Sequence, residues 1–189
     1  MNPEDSADQL FRLASDETAI HQDAAEWFVR QGAGAVPVLV RGLDNDRLGF
    51  VGQWRILLVL RRLALPDTLP AILGAFRRAL ATNNPIVLPG ALEALAVFDA
   101  DEAMSALIAA LDSADSDTVN HAAALLADKG GRRIENALSA LLERDAVGVR
   151  QSGVSALLKL GTSSARETLR RHRTSEQDPA VLKLLAGLR

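Results

Sequence analysis

A helical phrase returns about every thirty residues along this chain, and each copy begins with a β-branched residue. These leading residues, which we call anchors, are Ile20, Val51, Val87, Val119, Val149 and Val181. Successive anchors are 31, 36, 32, 30 and 32 residues apart. Repetition at this period predicts a row of similar helical units, each packed mainly on its neighbours. Such a row presents an extended surface rather than a closed pocket.

The apolar positions inside each copy indicate amphipathic helices. In the copy that runs from Val149 to Gly161, apolar or small residues lie 3, 4, 7, 8 and 11 positions after the anchor. At about 100° per residue these positions share one face of an α-helix. Small residues at the third or fourth position let neighbouring helices approach closely. Glycines twelve positions after three anchors, namely Gly32, Gly131 and Gly161, predict helix ends.

A shorter apolar phrase precedes each anchored helix and predicts a partner helix. The predicted fold is all-α, a solenoid of about six antiparallel helix pairs over roughly 6–32, 34–64, 67–98, 100–130, 131–161 and 163–189. Asp117, Asp145 and Asp178 lie ahead of second helices, where a side-chain oxygen suits unpaired N–H groups. The third pair departs from the pattern because Pro85 and Pro89 flank Val87. We expect its second helix to begin late and this unit to bend.

Composition favours one helical domain over residues 1–189. Hydrophobic residues make up 48% of the 189 positions, which supports a substantial core, and only 4% are aromatic, with no Tyr. The absence of Cys excludes disulfides and thiolate sites. The acidic first residues do not resemble a secretion signal, and the densest apolar run, 56–60, is too short to cross a bilayer. We therefore expect a soluble, cytoplasmic protein with no membrane contact.

The motif Val-Arg-x-x-small-x-x-Ala-Leu-x-x-Leu-Gly at 149–161, with an Asp four residues before it, resembles HEAT repeats. It is most similar to the short bacterial HEAT-like form also found in phycobilisome lyases. The resemblance covers nearly the whole chain and implies a superhelix. It is specific for fold and unspecific for function, since HEAT arrays serve mostly as scaffolds, adaptors and inhibitors.

In HEAT-like arrays the second helices line the concave side, so their outward positions are the expected partner-binding set. These positions are Gln53, Leu57, Leu60, Arg61, His121, Leu125, Lys129, Gln151, Leu158 and Lys159. The leucines among them would form an interface patch if exposed. Packing between neighbouring helices is the alternative for them. The cations form a basic edge that either stays solvated or docks an acidic segment.

Motifs for catalysis, metals and cofactors are missing from the sequence. His21, His121 and His172 lie in different units without a second ligand at metal spacing, and we expect them at the surface. Gly32-Ala33-Gly34 lacks the third glycine of a dinucleotide site, and no phosphate loop or nucleophile elbow occurs. We expect no enzyme activity, no metal and no cofactor.

Charge is unevenly distributed, and it leaves a second hypothesis open. The net charge is −3, yet residues 129–189 carry twelve Lys/Arg against six acids. Our first hypothesis is an adaptor, scaffold or inhibitor that binds another protein. The second is nucleic-acid or phosphate binding through the basic C-terminal third, which overall acidity disfavours. The third, a lyase or ligand chaperone, follows only from the resemblance.

The last helix raises the question of self-association. It carries Val181, Leu182, Leu184, Leu185 and Leu188, and no further unit follows to cover all of them. We expect any excess of apolar surface there to support a homodimer or the docking of another chain.

Overall fold

The computed structural model describes residues 3–188, and within them all regular secondary structure is helical. The chain divides into two compact units, one up to Ala106 and one from Leu107. None of the helices in the described range combines the length and apolar composition that a bilayer span requires. The prediction that the whole chain forms one domain stays a prediction.

Unit 1 contains the first three helix pairs. Its helices are α1 Pro3–Leu13, α2 Thr18–Gln31, α3 Val36–Gly42, α4 Gly49–Leu63, α5 Leu69–Ala81 and α6 Val87–Ala96. Helix α4 packs between α2 and α6 and also contacts α1 and α3, while α5 packs on α6. Second helices thus stack on second helices, as the repeat period predicts.

Unit 2 holds most of the remaining pairs, and the unit boundary falls within α7, Asp101–Ala109. The later helices are α8 Ser116–Lys129, α9 Arg132–Ala140, α10 Val147–Leu160, α11 Ser163–Ser175 and α12 Pro179–Leu185. Helix α10 packs between α8 and α12 and contacts α9 and α11. The pair order agrees with the sequence prediction throughout the described residues, so the helical-repeat fold is confirmed.

The residues at the helix ends differ in part from those predicted. Asp178 caps α12, as expected, by accepting hydrogen bonds from Ala180 N and Val181 N. For α8 the cap is Asp115 instead of Asp117, which already lies in the first turn. Asp145 makes no cap because α10 begins two residues later with Ala146 at its N-cap.

The predicted glycine stops are confirmed at two of three positions. Gly32 and Gly161 end α2 and α10 at positive φ, a conformation that costs glycine little. At the end of α8 the C-cap is Gly130, and Gly131 instead precedes α9. Helix α6 begins at Val87 and has ten residues, which confirms the expected late start.

The last helix buries part of its apolar surface within unit 2. Val181 and Leu185 are buried, whereas Leu184 is exposed. Homodimerisation through this helix stays a prediction.

Candidate functional site

The predicted partner-binding residues lie on three second helices. Gln53, Leu57, Leu60 and Arg61 belong to α4 in unit 1. The six others belong to unit 2, with His121, Leu125 and Lys129 on α8 and Gln151, Leu158 and Lys159 on α10. Within each unit the set lies on helices that pack against other second helices.

The expected outward position is wrong for Leu57 and Leu60, because both side chains are fully buried. The physical reason is that α4 has neighbours on several sides, α2, α6, α1 and α3, so its buried arc is wider than the offsets alone indicate. Neither leucine contributes to a surface. Leu125 is half-buried, and Leu158 is exposed at 38%.

Two of the three cations expected at the basic edge, Arg61 and Lys159, pair with acids from neighbouring repeats. Arg61 of α4 makes an ion pair with Glu93 of α6, and Lys159 of α10 pairs with Asp128 of α8 at 2.6 Å. Arg62 likewise reaches Glu26 of α2 at 2.7 Å and lowers the pKa of that carboxyl by its hydrogen bond. Exposed pairs of this kind contribute little stability. They do, however, neutralise the cations, which disfavours docking of a polyanion here.

The described residues also form a cleft of about 440 Å³ in unit 1, which we call the Phe50 cleft. It lies where the beginnings of α4 and α6 meet the end of α5. Its lining residues are Asp46, Phe50, Gln53, Ala75, Arg78, Ala79, Thr82, Asn84, Pro85 and Val87. Gln53 is the one member of the predicted set that lines this cleft.

The insertion between α5 and α6 shapes one wall of the Phe50 cleft. Asn83 adopts a left-handed backbone, with φ of 46°, and turns the chain after α5. Asn84 is buried; its backbone N–H donates to Ala79 O at 2.8 Å. Its Oδ1 accepts from the N–H groups of Ile86 and Val87 at 3.0 and 2.9 Å. These bonds hold Pro85 against the cleft and start α6.

Large apolar side chains stand exposed around this cleft. Phe50 is 57% exposed, Ile86 is 40% exposed between the lining residues Pro85 and Val87, and Val51 is exposed beside Phe50. The rim is polar and carries the Arg78–Asp44 ion pair at 2.8 Å. An apolar patch with a polar rim is typical of protein interfaces.

Sequence reasoning missed Phe50 and Ile86, although a signal was present. Both residues directly precede an anchor, Val51 and Val87 respectively. The same position in the other repeats holds smaller residues, Ala19, Thr118, Gly148 and Ala180. The repeat pattern does not require a bulky apolar residue at this position. Its presence in these two repeats therefore indicates a role other than packing between repeats.

The histidines differ from expectation in one case. His172 was expected at the surface, but its side chain is only 8% exposed, and its Nε2 lies 2.9 Å from Glu176 Oε2. His21 and His121 are half-buried. Among the residues that the structure describes, no three metal-ligating side chains cluster in one place.

Comparison with known proteins supports the helical-repeat fold but does not assign the chain to a family. No family model matches the chain, and no curated protein matches it. Among solved structures, it is similar to human deoxyhypusine hydroxylase, with 16% identity, a TM-score of 0.51 and coverage of 98% of this chain and 83% of that one.

Two engineered proteins are also similar. A designed armadillo repeat protein in complex with the peptide (KR)4 has 17% identity and a TM-score of 0.51, over 94% of this chain and 95% of that one. A further engineered protein has 22% identity and a TM-score of 0.50, over 98% and 94%. Likeness at these identities concerns the fold alone. The chain has an α-solenoid fold of stacked helix pairs, and its resemblance to HEAT repeats in particular stays a prediction.

Proposed function

We propose that this chain is a non-enzymatic protein-interaction module, an adaptor, scaffold or inhibitor, that holds a segment of a partner protein at the Phe50 cleft. The observation that carries the proposal is the exposed set of Phe50, Val51 and Ile86 around a cleft of about 440 Å³. Removing such side chains from water is the main driving force of association, and aromatic anchors dominate interface energies.

The partner segment that suits this cleft carries an aliphatic or aromatic side chain. Arg78 is paired with Asp44, and Asp46 adds one carboxylate to the lining, so the apolar side chains rather than a strong charge set the preference of this cleft. Gln53 and Thr82 offer hydrogen-bonding groups that orient a backbone. The peptide complex of the designed armadillo repeat protein supports this use of a helical-repeat surface.

The second-helix surface of unit 2 belongs to the same proposal as a lesser contact. Leu158 is exposed and Leu125 half-buried, with Gln151 on the same helix as Leu158. Lys159 donates to Ala124 O and pairs with Asp128, so its charge is already engaged. We assign this surface to polar and aliphatic contacts rather than to charge attraction.

The test is affinity capture with the 189-residue chain from cells that express it. Phe50→Asp and Ile86→Asp place a charge on the exposed patch, and both should lose the partner that the unaltered chain captures. Phe11→Asp is the matched control, because Phe11 on α1 is 48% exposed and lies outside the cleft. It should retain the partner.

Retention of the same partner by all three variants would remove the Phe50 cleft from the account. The nucleic-acid alternative gives a different result: salt-sensitive retention of the unaltered chain on duplex DNA, unchanged by Phe50→Asp. Thermal unfolding of each variant, followed by circular dichroism, verifies that the compared proteins are folded.

A further inference from the structure

Arg55 of α4 is a charged residue at a position where four of the five other repeats have small ones. It lies four residues after its anchor, Val51. The matching positions hold Ala24, Ala91, Ala123 and Gly153 and, in the last repeat, Leu185, all of them buried. Arg55 is half-buried. Placing a guanidinium among helix-packing positions costs desolvation energy, so the position calls for a specific set of partners.

Part of that set is backbone from the first repeat. Arg55 Nη1 donates to the carbonyl oxygens of Leu13 and Ser15, at 3.0 and 2.5 Å. These bonds connect positions about forty residues apart in the chain and fix the plane of the guanidinium against the end of α1. Its Nε is buried and, among the described residues, has no hydrogen-bond acceptor. A buried N–H without an acceptor is costly and rare in native proteins.

Arg55 lines a cleft of about 220 Å³ in unit 1, which we call the Arg55 cleft. Its other lining residues, from α1, α2 and α4, are Leu13, His21, Gln22, Ala25, Trp54, Leu58, Val59 and Arg62. The walls are mainly apolar, and of the two arginines in the lining Arg62 is paired with Glu26, whereas Arg55 has no carboxylate partner among the lining residues. The charge that complements this cleft is negative.

Unit 2 contains an arginine with a comparable but complete set of bonds, Arg150 of α10, which lies one residue after its anchor, Val149. Arg150 Nη1 also donates to two carbonyl oxygens of a preceding loop, Arg144 O and Asp145 O, at 3.0 and 2.7 Å. Its Nε and Nη2 donate to the two carboxylate oxygens of Glu176, at 2.8 and 3.1 Å. A carboxylate can accept two parallel hydrogen bonds from the Nε and Nη2 groups of one guanidinium. At Arg55 the corresponding Nε has no such acceptor.

We propose that the Arg55 cleft binds the carboxylate of an Asp or Glu side chain from a partner polypeptide, in the way that Arg150 binds Glu176. Leu13 and Ser15 already orient the guanidinium, so binding does not have to order the Arg55 side chain itself. The apolar walls exclude water and strengthen the charge-assisted bonds. This inference rests on the proposed function only in taking its occupant from a protein.

Because Nε itself is buried, an entering carboxylate must displace part of the cleft wall, and the test therefore observes Nε directly. The full chain is labelled with ¹⁵N and titrated with the blocked peptide acetyl-Ala-Leu-Glu-Leu-Ala-amide. Its counterpart with Gln in place of Glu keeps the size and removes the charge. The Arg Nε–H and Trp indole N–H signals are followed by NMR.

We expect the Glu peptide to shift the signals of Arg55 Nε and of Trp54, which lines the same cleft. The Arg150 Nε signal should stay in place, because Glu176 already occupies it. The Gln peptide should bind about ten-fold more weakly, since it lacks the charge. Equal affinities for the two peptides, or no movement of the Arg55 signal with either one at millimolar concentration, would overturn the inference.

Two variants distinguish binding through two parallel hydrogen bonds of the Arg55 guanidinium from general attraction by positive charge. Arg55→Lys keeps the charge but cannot form two parallel bonds, and we expect it to weaken the Glu peptide about ten-fold. Arg62→Gln at the rim removes a charge that is already paired with Glu26, and we expect a much smaller loss. Should Arg55→Lys fail to fold, the titration of the unaltered chain still decides the question.

This outcome is independent of the test for the Phe50 cleft. Partner capture that depends on Phe50, together with an Arg55 signal that does not shift with the Glu peptide, is one outcome. That result supports the proposed function and contradicts only the carboxylate site. Arg55 binding to the peptide without any Phe50-dependent capture would retain the carboxylate site and remove the Phe50 cleft as the place where a partner is held.

Discussion

Glu176 is the most strongly perturbed carboxyl group that the described residues contain. Its side chain is only 3% exposed and accepts hydrogen bonds from Arg150 and from the backbone N–H groups of Gln177 and Asp178. Arg150 lowers the pKa of Glu176 to about 2, with the two N–H groups adding to the effect against burial, which opposes it. His172 lies against the same carboxylate. One side chain thus ties the end of α11 to α10.

The first prediction concerns the pH dependence of stability. A carboxyl group whose pKa is lower in the folded than in the unfolded chain stabilises the fold. The stabilisation is fully present when the pH is above the pKa of the unfolded chain, about 4.3 for Glu. That contribution is lost as the pH falls towards 2. Glu176→Gln should therefore reduce the free energy of unfolding at pH 7 by about 2 kcal/mol, and the difference should shrink between pH 5 and pH 2.

Urea unfolding at pH 7, 5 and 3 measures this difference. Glu167→Gln is the matched control on α11, the helix that ends just before Glu176, because Glu167 is exposed and its ion pair with Arg170 is 3.6 Å long. It should change stability little at any pH. A difference between the unaltered chain and Glu176→Gln that is the same at all three pH values would contradict the assignment.

At the residue scale, sequence patterns predicted helix faces better than they predicted individual roles. Leu57 and Leu60 fall on the solvent side of a helical wheel of α4 and are nevertheless buried. A helical wheel shows the periodicity of one helix, but not the other helices that pack on both sides of it. Phe50 and Arg55 are noticeable only when their positions are compared across repeats. His172 resembles a surface residue in sequence; its partner Glu176 lies only four residues later, and it is Arg150, bonded to Glu176, that the fold brings to this pair.

At the scale of helices, close packing depends on glycine at particular crossings. Gly153 of α10 is buried against α9 and the turn that follows it. A Cβ placed there would lie 2.9 Å from Leu141 Cβ and 3.3 Å from Leu138 O. Neither neighbour can move easily, because Leu138 O is a backbone atom and Leu141 Cβ is bonded directly to the backbone.

The second prediction follows from this crossing. Gly153→Ala should lower the free energy of unfolding by about 1 to 3 kcal/mol, as overpacked cores do. Gly74→Ala is the matched control in the interior of α5, where the added methyl group would meet only the mobile end of Arg78 at 3.4 Å. It should raise stability by up to about 1 kcal/mol, since alanine is the better helix former. Thermal and urea unfolding decide; equal effects of the two changes would refute the packing argument.

The third prediction concerns the start of α6. Asn84→Ala removes the acceptor of the Ile86 and Val87 N–H groups and should cost about 1 kcal/mol. Asn84→Asp retains the acceptor and should cost less. If the same turn also holds the Phe50 cleft in shape, Asn84→Ala should weaken partner capture more than its small loss of stability explains. Unchanged hydrogen exchange at Ile86 and Val87 in Asn84→Ala would contradict the capping role.

Helix positions were predicted well because period and amphipathic pattern agree in every repeat. The late start of α6 followed from Pro85 and Pro89. Exact ends were predicted less well. Asp115 and Gly130 replaced the expected Asp117 and Gly131, because a cap depends on the backbone conformation of one residue and the pattern permits a shift of one or two.

For the molecule as a whole, the repeat period determines the fold, and the two units each show second helices stacked on one another. Binding sites follow from departures from the repeat. The insertion before Val87 forms a wall of the Phe50 cleft, and Arg55 lies at a position where four other repeats have Ala or Gly. The sequence could not predict these clefts, since each combines residues from separate helices whose side-chain positions depend on packing.

Photo-crosslinking from the Phe50 position tests the proposed function most directly. The chain carries p-benzoylphenylalanine in place of Phe50, or in place of Phe11 as control, and is irradiated in cells that express it. The account predicts a discrete cross-linked partner from position 50, attached through an apolar side chain and absent from position 11. No cross-linked polypeptide from position 50, or the same products from both positions, would contradict the account.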